Sequence, residues 1–341
     1  MPSFDSSSGQ ARPEEGGRLY SSCGFQAQQS IVAGLTVLIH YRPRTEVLSH
    51  LPALRNLMVR RLKLQVVVED TASRRDHRLQ AQHGLCLFLE ADLGGEKMRL
   101  LMDTGASADV ALHNLDLLGI DPADLDHIFL SHGHYDHTGG LLGVLGRCEH
   151  RIPVLGHPKI FEPKLKTRPF LKYIGPPFSC QEAESKGAVM LLSSAPLPLA
   201  RGIMTTGEVE RITDFENVEG YYTIKDGCYV QDDIPDDQSL IVDVEGKGLT
   251  IITGCAHAGV VNTILRAKAL TGSDKLYAVV GGFHLLGAGG ERIDRTAEEL
   301  RSLDPEMVRI GHCTGGQAVS RLQEVLGDRC QPLCTGDLIE L

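Results

Sequence analysis

From Val59 to Val68 the chain runs Val-Arg-Arg-Leu-Lys-Leu-Gln-Val-Val-Val, a strand-like pattern suited to opening a compact domain. Leu85 to Ala91 and Met98 to Met102 read as further strands. The period then changes, and Ala111, Leu112, Leu115 and Leu118 fall on one face of a helix predicted over Ala108 to Leu118. Leu125 to Leu130 is a short apolar strand that runs straight into a group of histidines. The second half repeats the alternation. Ser239 to Val244 and Leu249 to Thr253 predict a β-pair turned at Glu245-Gly246-Lys247-Gly248, with a helix from Gly259 to Leu270 after it. Strand Leu276 to Val280, helix Asp294 to Leu303, strand Met307 to Ile310 and helix Gln317 to Leu326 complete the series. Two such halves predict an α/β protein whose sheets pack face to face with helices outside.

Two stretches fall outside this rhythm. Residues 1 to 57 open with a Ser/Gly/Gln-rich segment and read as a poorly structured N-terminal extension, so the folded domain is expected to span 58 to 341. Residues 151 to 238 are rich in Pro, Gly and charge and read as an irregular insertion that covers a substrate.

Composition narrows the function. With 341 residues, 42% of them hydrophobic, the chain can fill a substantial core. A net charge of −10 argues against a nucleic-acid binder, because neutralising phosphates needs an excess of Lys and Arg. The apolar run from Ile31 to Ile39 falls well short of the roughly 20 residues that cross a bilayer, so no membrane association is expected. Nine scattered cysteines with no CxxC pair suit a reducing cytoplasm better than a disulfide scaffold.

The densest chemical signal is Ser131-His132-Gly133-His134-Tyr135-Asp136-His137-Thr138-Gly139-Gly140. Four potential metal ligands, His132, His134, Asp136 and His137, lie within six residues at a strand end, with glycines that permit a tight backbone. Imidazole and carboxylate donors suit one or two zinc ions, with iron or manganese as alternatives. A second grouping is cationic: Lys159, Lys164, Lys166, Arg168 and Lys172 stand in an otherwise acidic chain, opposed only by Glu162. It reads either as a binding surface for an anionic small molecule or as plain solvated surface.

The HxHxDH pattern at His132, His134, Asp136 and His137 resembles the metallo-β-lactamase superfamily. Asp103-Thr104-Gly105, Gly207-Glu208, Asp214-Phe215-Glu216, Asp237-Gln238, Thr253-Gly254-Cys255-Ala256-His257, Gly281-Gly282-Phe283-His284 and Gly311-His312-Cys313-Thr314-Gly315 extend the likeness to one branch. That branch holds predicted metal-dependent hydrolases and archaeal enzymes that join a dihydropterin to a ribofuranosyl-aminobenzene phosphate. The resemblance implies an αββα sandwich with metals in a groove at one edge, one ion on the first two histidines and another on Asp136 and His137. Asp103 is then expected either to fix a ligand by a hydrogen bond or to serve as a plain turn-forming residue.

The pattern also departs from the superfamily, since Cys255 stands where many members carry a bridging Asp. Cys255 is a candidate thiolate ligand, His312 a candidate ligand, and His257 and His284 candidates for ligation or proton transfer. The resulting expectation is a hydrolase that cleaves an ester, lactone, amide or phosphoester with metal-bound hydroxide, in which Asp136, His257 and His284 are catalytic. The alternatives are a transferase joining a dihydropterin diphosphate to an arylamine phosphate, and a binding protein with a degenerate site.

Overall fold

The computed structural model describes residues 58–341. The expected N-terminal extension, residues 1 to 57, lies outside the described residues. Two seven-stranded sheets form the centre of the fold. The first contains β1 (Arg61–Val68), β2 (Cys86–Asp92), β3 (Lys97–Met102), β4 (His127–Phe129), β5 (Ile152–Gly156) and β8 (Ala188–Leu192), with the last strand, β18 (Leu338–Glu340), pairing beside β1. The second runs from β9 (Pro198–Ala200) and β10 (Ile203–Thr205) through β13 (Ser239–Val244), β14 (Gly248–Thr253), β15 (Leu276–Gly282) and β16 (Met307–Gly311) to β17 (Cys330–Pro332). A smaller sheet joins β6 (Leu165–Lys166), β7 (Lys172–Tyr173), β11 (Tyr221–Lys225) and β12 (Cys228–Gln231).

Alternation along the strands builds the layers. Leu62, Leu64, Val66, Leu87 and Leu89 point inward to meet Leu240, Val242, Val244 and Val280 of the opposite sheet. The intervening outward positions of β14 and β15, Ile251 and Val279, pack under α5 (Val260–Thr271), α6 (Gly290–Leu303) and α7 (Gly316–Leu326). On the other side Leu101, Ile128 and Val154 pack under α1 (Ala108–Leu118), α3 (Leu141–Leu145) and α4 (Cys180–Ser185). The result is the αββα sandwich. Among the described residues, no helix is long and apolar enough to cross a membrane.

The stretch 151 to 238 is more regular than its composition suggests. It supplies β5 and β8 to the first sheet, β9 and β10 to the second, and all of the small sheet. Several of these strands are only two or three residues long, too short for an apolar period to register in the sequence.

Parallel pairing decides where the chemistry collects. β3 and β4 run parallel, as do β14, β15 and β16, so their carboxyl ends lie along one edge of the sandwich. Asp103 follows β3, the histidine motif follows β4 and runs into α2 (Tyr135–Thr138), Cys255 and His257 follow β14, His284 follows β15 and His312 follows β16.

Candidate metal centre

The loops at this edge are held in a costly backbone form. Asp103, Ala256, His284 and His312 all have φ between 44° and 59°, a left-handed conformation that strains a non-glycine residue by roughly 1–3 kcal/mol. Glycines supply the closest approaches: a Cβ on Gly133 would overlap the carbonyl of Ile160, and one on Gly254 would overlap Ser131. The motif loop is thus pressed against both neighbours, which fixes where its imidazoles point.

His132, His134 and His257 converge in the interior. His132 Nε2 lies 2.9 Å from His134 Nδ1, and donor atoms of all three residues lie within 4.8 Å of one another. A second group continues from the first: His137 Nε2 is 3.1 Å from Cys255 Sγ and 3.1 Å from His312 Nε2, and His312 Nε2 is 3.4 Å from Asp136 Oδ2. Nitrogens bound at about 2.0–2.1 Å to one tetrahedral ion stand roughly 3.3 Å apart, so these spacings suit shared ligation. Burial supports the same reading. His257 is 1% exposed, yet neither of its ring nitrogens has a hydrogen-bond partner, and His134 Nε2 is likewise unpartnered. Buried polar atoms left unpaired are costly, and a cation is the partner that imidazole lone pairs accept.

Burial and charge separate a group of neutral imidazoles from one paired with carboxylates. Burial holds His134 down to about 3. Burial, reinforced by neighbouring histidines, keeps His132 and His257 well below the usual imidazole value. Burial also pulls on His312, but its hydrogen bonds to Asp136 and Asp70 outweigh that and raise it well above the usual value. Hydrogen bonds to His312 and His83 hold the Asp136 carboxyl well below the ordinary range despite its burial.

Asp103 is fully buried behind the motif. Its Oδ1 accepts the Ser131 amide at 2.7 Å, while its Oδ2 accepts the Ser131 hydroxyl at 2.8 Å and faces His137 Nδ1 at 2.7 Å. A carboxylate on Nδ1 turns the lone pair of Nε2 toward the centre. Asp103→Asn is therefore expected to lower metal affinity by about 10–100-fold with little change of shape, read by competition with a chromophoric chelator.

Cys255 is buried beside His137, and burial together with Cys313 pushes its thiol well above the usual value. His284 is half-buried, with its ring centroid 4.0 Å from that of His257 and its Nε2 3.2 Å from the Tyr221 hydroxyl.

The cationic grouping divides. Lys164 is 1% exposed, with Nζ 2.5 Å from Asp236 and 3.1 Å from Asp232, so its expected place on a substrate-binding surface is corrected: two acidic side chains draw it into the interior. Lys166 is exposed and lies 5.4 Å from the centre of the Tyr221 ring, which itself stacks on His134. Lys159 is half-buried, and Arg168 is exposed between β6 and β7.

Four contributors escaped the sequence reading. Asp70 and His83, from the connection between β1 and β2, contact His312 and Asp136. Tyr221 packs on three of the histidines. Asp236 accepts the Gly133 amide at 2.8 Å and so braces the motif from behind. Only the Asp236-Asp237 pair, standing before a strand, carried any signal in the sequence.

Fold and site together define an αββα protein with a buried histidine-rich centre. The family model of the metallo-beta-lactamase superfamily matches residues 81–312, and the chain belongs to that superfamily. The chain is 36% identical over 285 residues, 82% of its length and 96% of the relative's, to the 7,8-dihydropterin-6-methyl-4-(β-D-ribofuranosyl)-aminobenzene-5'-phosphate synthase of Methanocaldococcus jannaschii. A second protein of that organism, uncharacterized by name, is 31% identical over 262 residues, covering 77% of this chain and 94% of its own. Among solved structures, Tm1679, described as a metal-dependent hydrolase of the β-lactamase superfamily, superposes with a TM-score of 0.68 at 25% identity, covering 82% of this chain and 99% of its own. These findings correct the hydrolytic expectation. The relative whose activity is named, at 36% identity, is a synthase, and hydrolysis has only the wider superfamily behind it.

Proposed function

We propose that this chain is a metal-dependent transferase that joins a dihydropterin bearing a diphosphate leaving group to a phosphorylated arylamine. The observation that carries this reading is the 36% identity, over nearly the whole relative, to a synthase whose named product contains a dihydropterin joined through its 6-methyl carbon to an aminobenzene. In the reaction the amine nitrogen attacks that carbon, its bond to the diphosphate oxygen breaks, and the amine loses a proton.

His132, His134 and His257 would hold one ion, and Asp136, His137 and His312, with Cys255, a second; imidazole and thiol donors favour zinc. When bound, divalent ions supply the positive charge that accommodates a departing diphosphate. The remaining work falls to the protein. His284 lines a cavity of about 530 Å³ whose wall also carries Phe215, Arg292 and Arg295 with Asp214 and Glu291. Arg295 already lies over the Phe215 ring and pairs with Asp214, while Arg292, whose Nε has no hydrogen-bond partner, suits the phosphate of an arylamine. His284, half-buried between this cavity and the histidine cluster, is positioned to receive the proton.

The test mixes metal-loaded protein with a dihydropterin-6-methyl diphosphate. Diphosphate is expected only when the arylamine is present, in step with one coupled product. Equal release without the arylamine would overturn the transferase reading.

A further inference from the structure

We infer that His83, from the connection between β1 and β2, is an additional ligand of the ion held by Asp136 and His312, positioned for this by Asp70. The two oxygens of Asp70 are divided between two imidazoles: Oδ1 meets His312 Nδ1 at 2.7 Å and Oδ2 meets His83 Nδ1 at 2.8 Å. A carboxylate accepts, so each Nδ1 donates and each Nε2 is left to face the other way. Both of those nitrogens approach a single atom, Asp136 Oδ2, at 3.4 Å from His312 and 3.3 Å from His83. On the opposite side Asp103 orients one imidazole in the same way, facing His137 Nδ1 at 2.7 Å.

The backbone keeps His83 in this position. The Leu85 amide donates to the Asp136 carbonyl at 3.2 Å, the Gly105 amide donates to the Leu85 carbonyl at 2.9 Å, and the Gly84 amide donates to Asp70 at 3.2 Å. Gly84 has φ 142°, and a Cβ there would overlap the Asp136 carbonyl, so the approach of this loop to the motif depends on glycine. The His83 side chain remains 53% exposed. It therefore stands on the solvent side of the Asp136 carboxylate. The competing arrangement is a pair of doubly protonated imidazoles that merely bridge Asp70 and Asp136.

The inference rests on the reading of this cluster as a metal centre, and separate variants address the two. Full-length protein, His83→Ala, His83→Gln and His132→Ala are stripped, titrated with Zn2+ or Co2+, and analysed for bound metal and for the Co2+ absorption spectrum. His83→Ala and His83→Gln are expected to weaken one ion by 10-fold or more and to alter the Co2+ spectrum. The glutamine variant preserves side-chain bulk should the alanine variant fold poorly. Parent-like affinity and spectrum in the His83 variants, with metal lost in His132→Ala, overturn the role of His83 alone. Unchanged metal in all of them overturns the metal centre as well.

Discussion

His132→Ala and His134→Ala are each expected to yield protein with no more than about half of the parent's bound metal and no measurable turnover. Each substitution removes one of three buried nitrogens that converge at donor distances, leaving two that cannot hold a divalent ion firmly. The fold should survive, because these rings are not part of the apolar core between the sheets and the motif loop is also braced by Asp236 at the Gly133 amide. Two readouts check it. Elemental analysis gives the stoichiometry, and thermal unfolding with and without a chelator gives the linkage, since an ion that binds only the native state raises the transition in proportion to its affinity. The parent should lose stability on chelation and the variants should respond far less. Parent-like stoichiometry in both variants would remove the motif from the metal centre.

Much of this centre was legible because its ligands sit where short-range pattern is strong. The helix expected at Ala108 to Leu118 is found over those residues, and the strands leading to Asp103, His132, His257, His284 and His312 lie within a few residues of their expected limits. Apolar runs bounded by Gly-rich turns announce strand ends, and parallel pairing brings those ends to one edge. What escaped depends on partners far away in the chain. Lys164 is one of five cations in a short stretch, and nothing local separates it from Lys166; its burial is decided by Asp232 and Asp236, 68 and 72 residues later. His83 stands in a polar connection with nothing periodic about it, and its relation to Asp136 comes only from the loop's hydrogen bonds to the motif. The chemistry was equally non-local. The motif residues are compatible with cleavage and with group transfer, so the choice between them came from kinship with a synthase.

Lys164→Met is expected to destabilise the protein by about 3–5 kcal/mol, against about 0.5 kcal/mol or less for exposed Lys166→Met. Lys164 sits between Asp232 and Asp236, both buried, and its removal leaves two carboxylates without a countercharge in the interior. Burial pulls the Lys164 ammonium down, but the two aspartates outweigh it and raise its pKa above the ordinary 10.5. A folded value above the unfolded one contributes stability that is fully present below about 10.5 and is lost as pH rises through the folded value. The difference between parent and variant should therefore be the same at pH 7 and pH 9 and should narrow only in stronger base, as followed by urea unfolding. The effect should also reach the metal centre. Asp236 spends its other oxygen on the Gly133 amide between His132 and His134, so freeing it from Lys164 loosens the loop that spaces those ligands. Metal affinity should fall in Lys164→Met and stay at the parent level in Lys166→Met. A stability loss below 1 kcal/mol at pH 7, the range of exposed ion pairs, would show that the buried lysine is not what ties the small sheet to the motif.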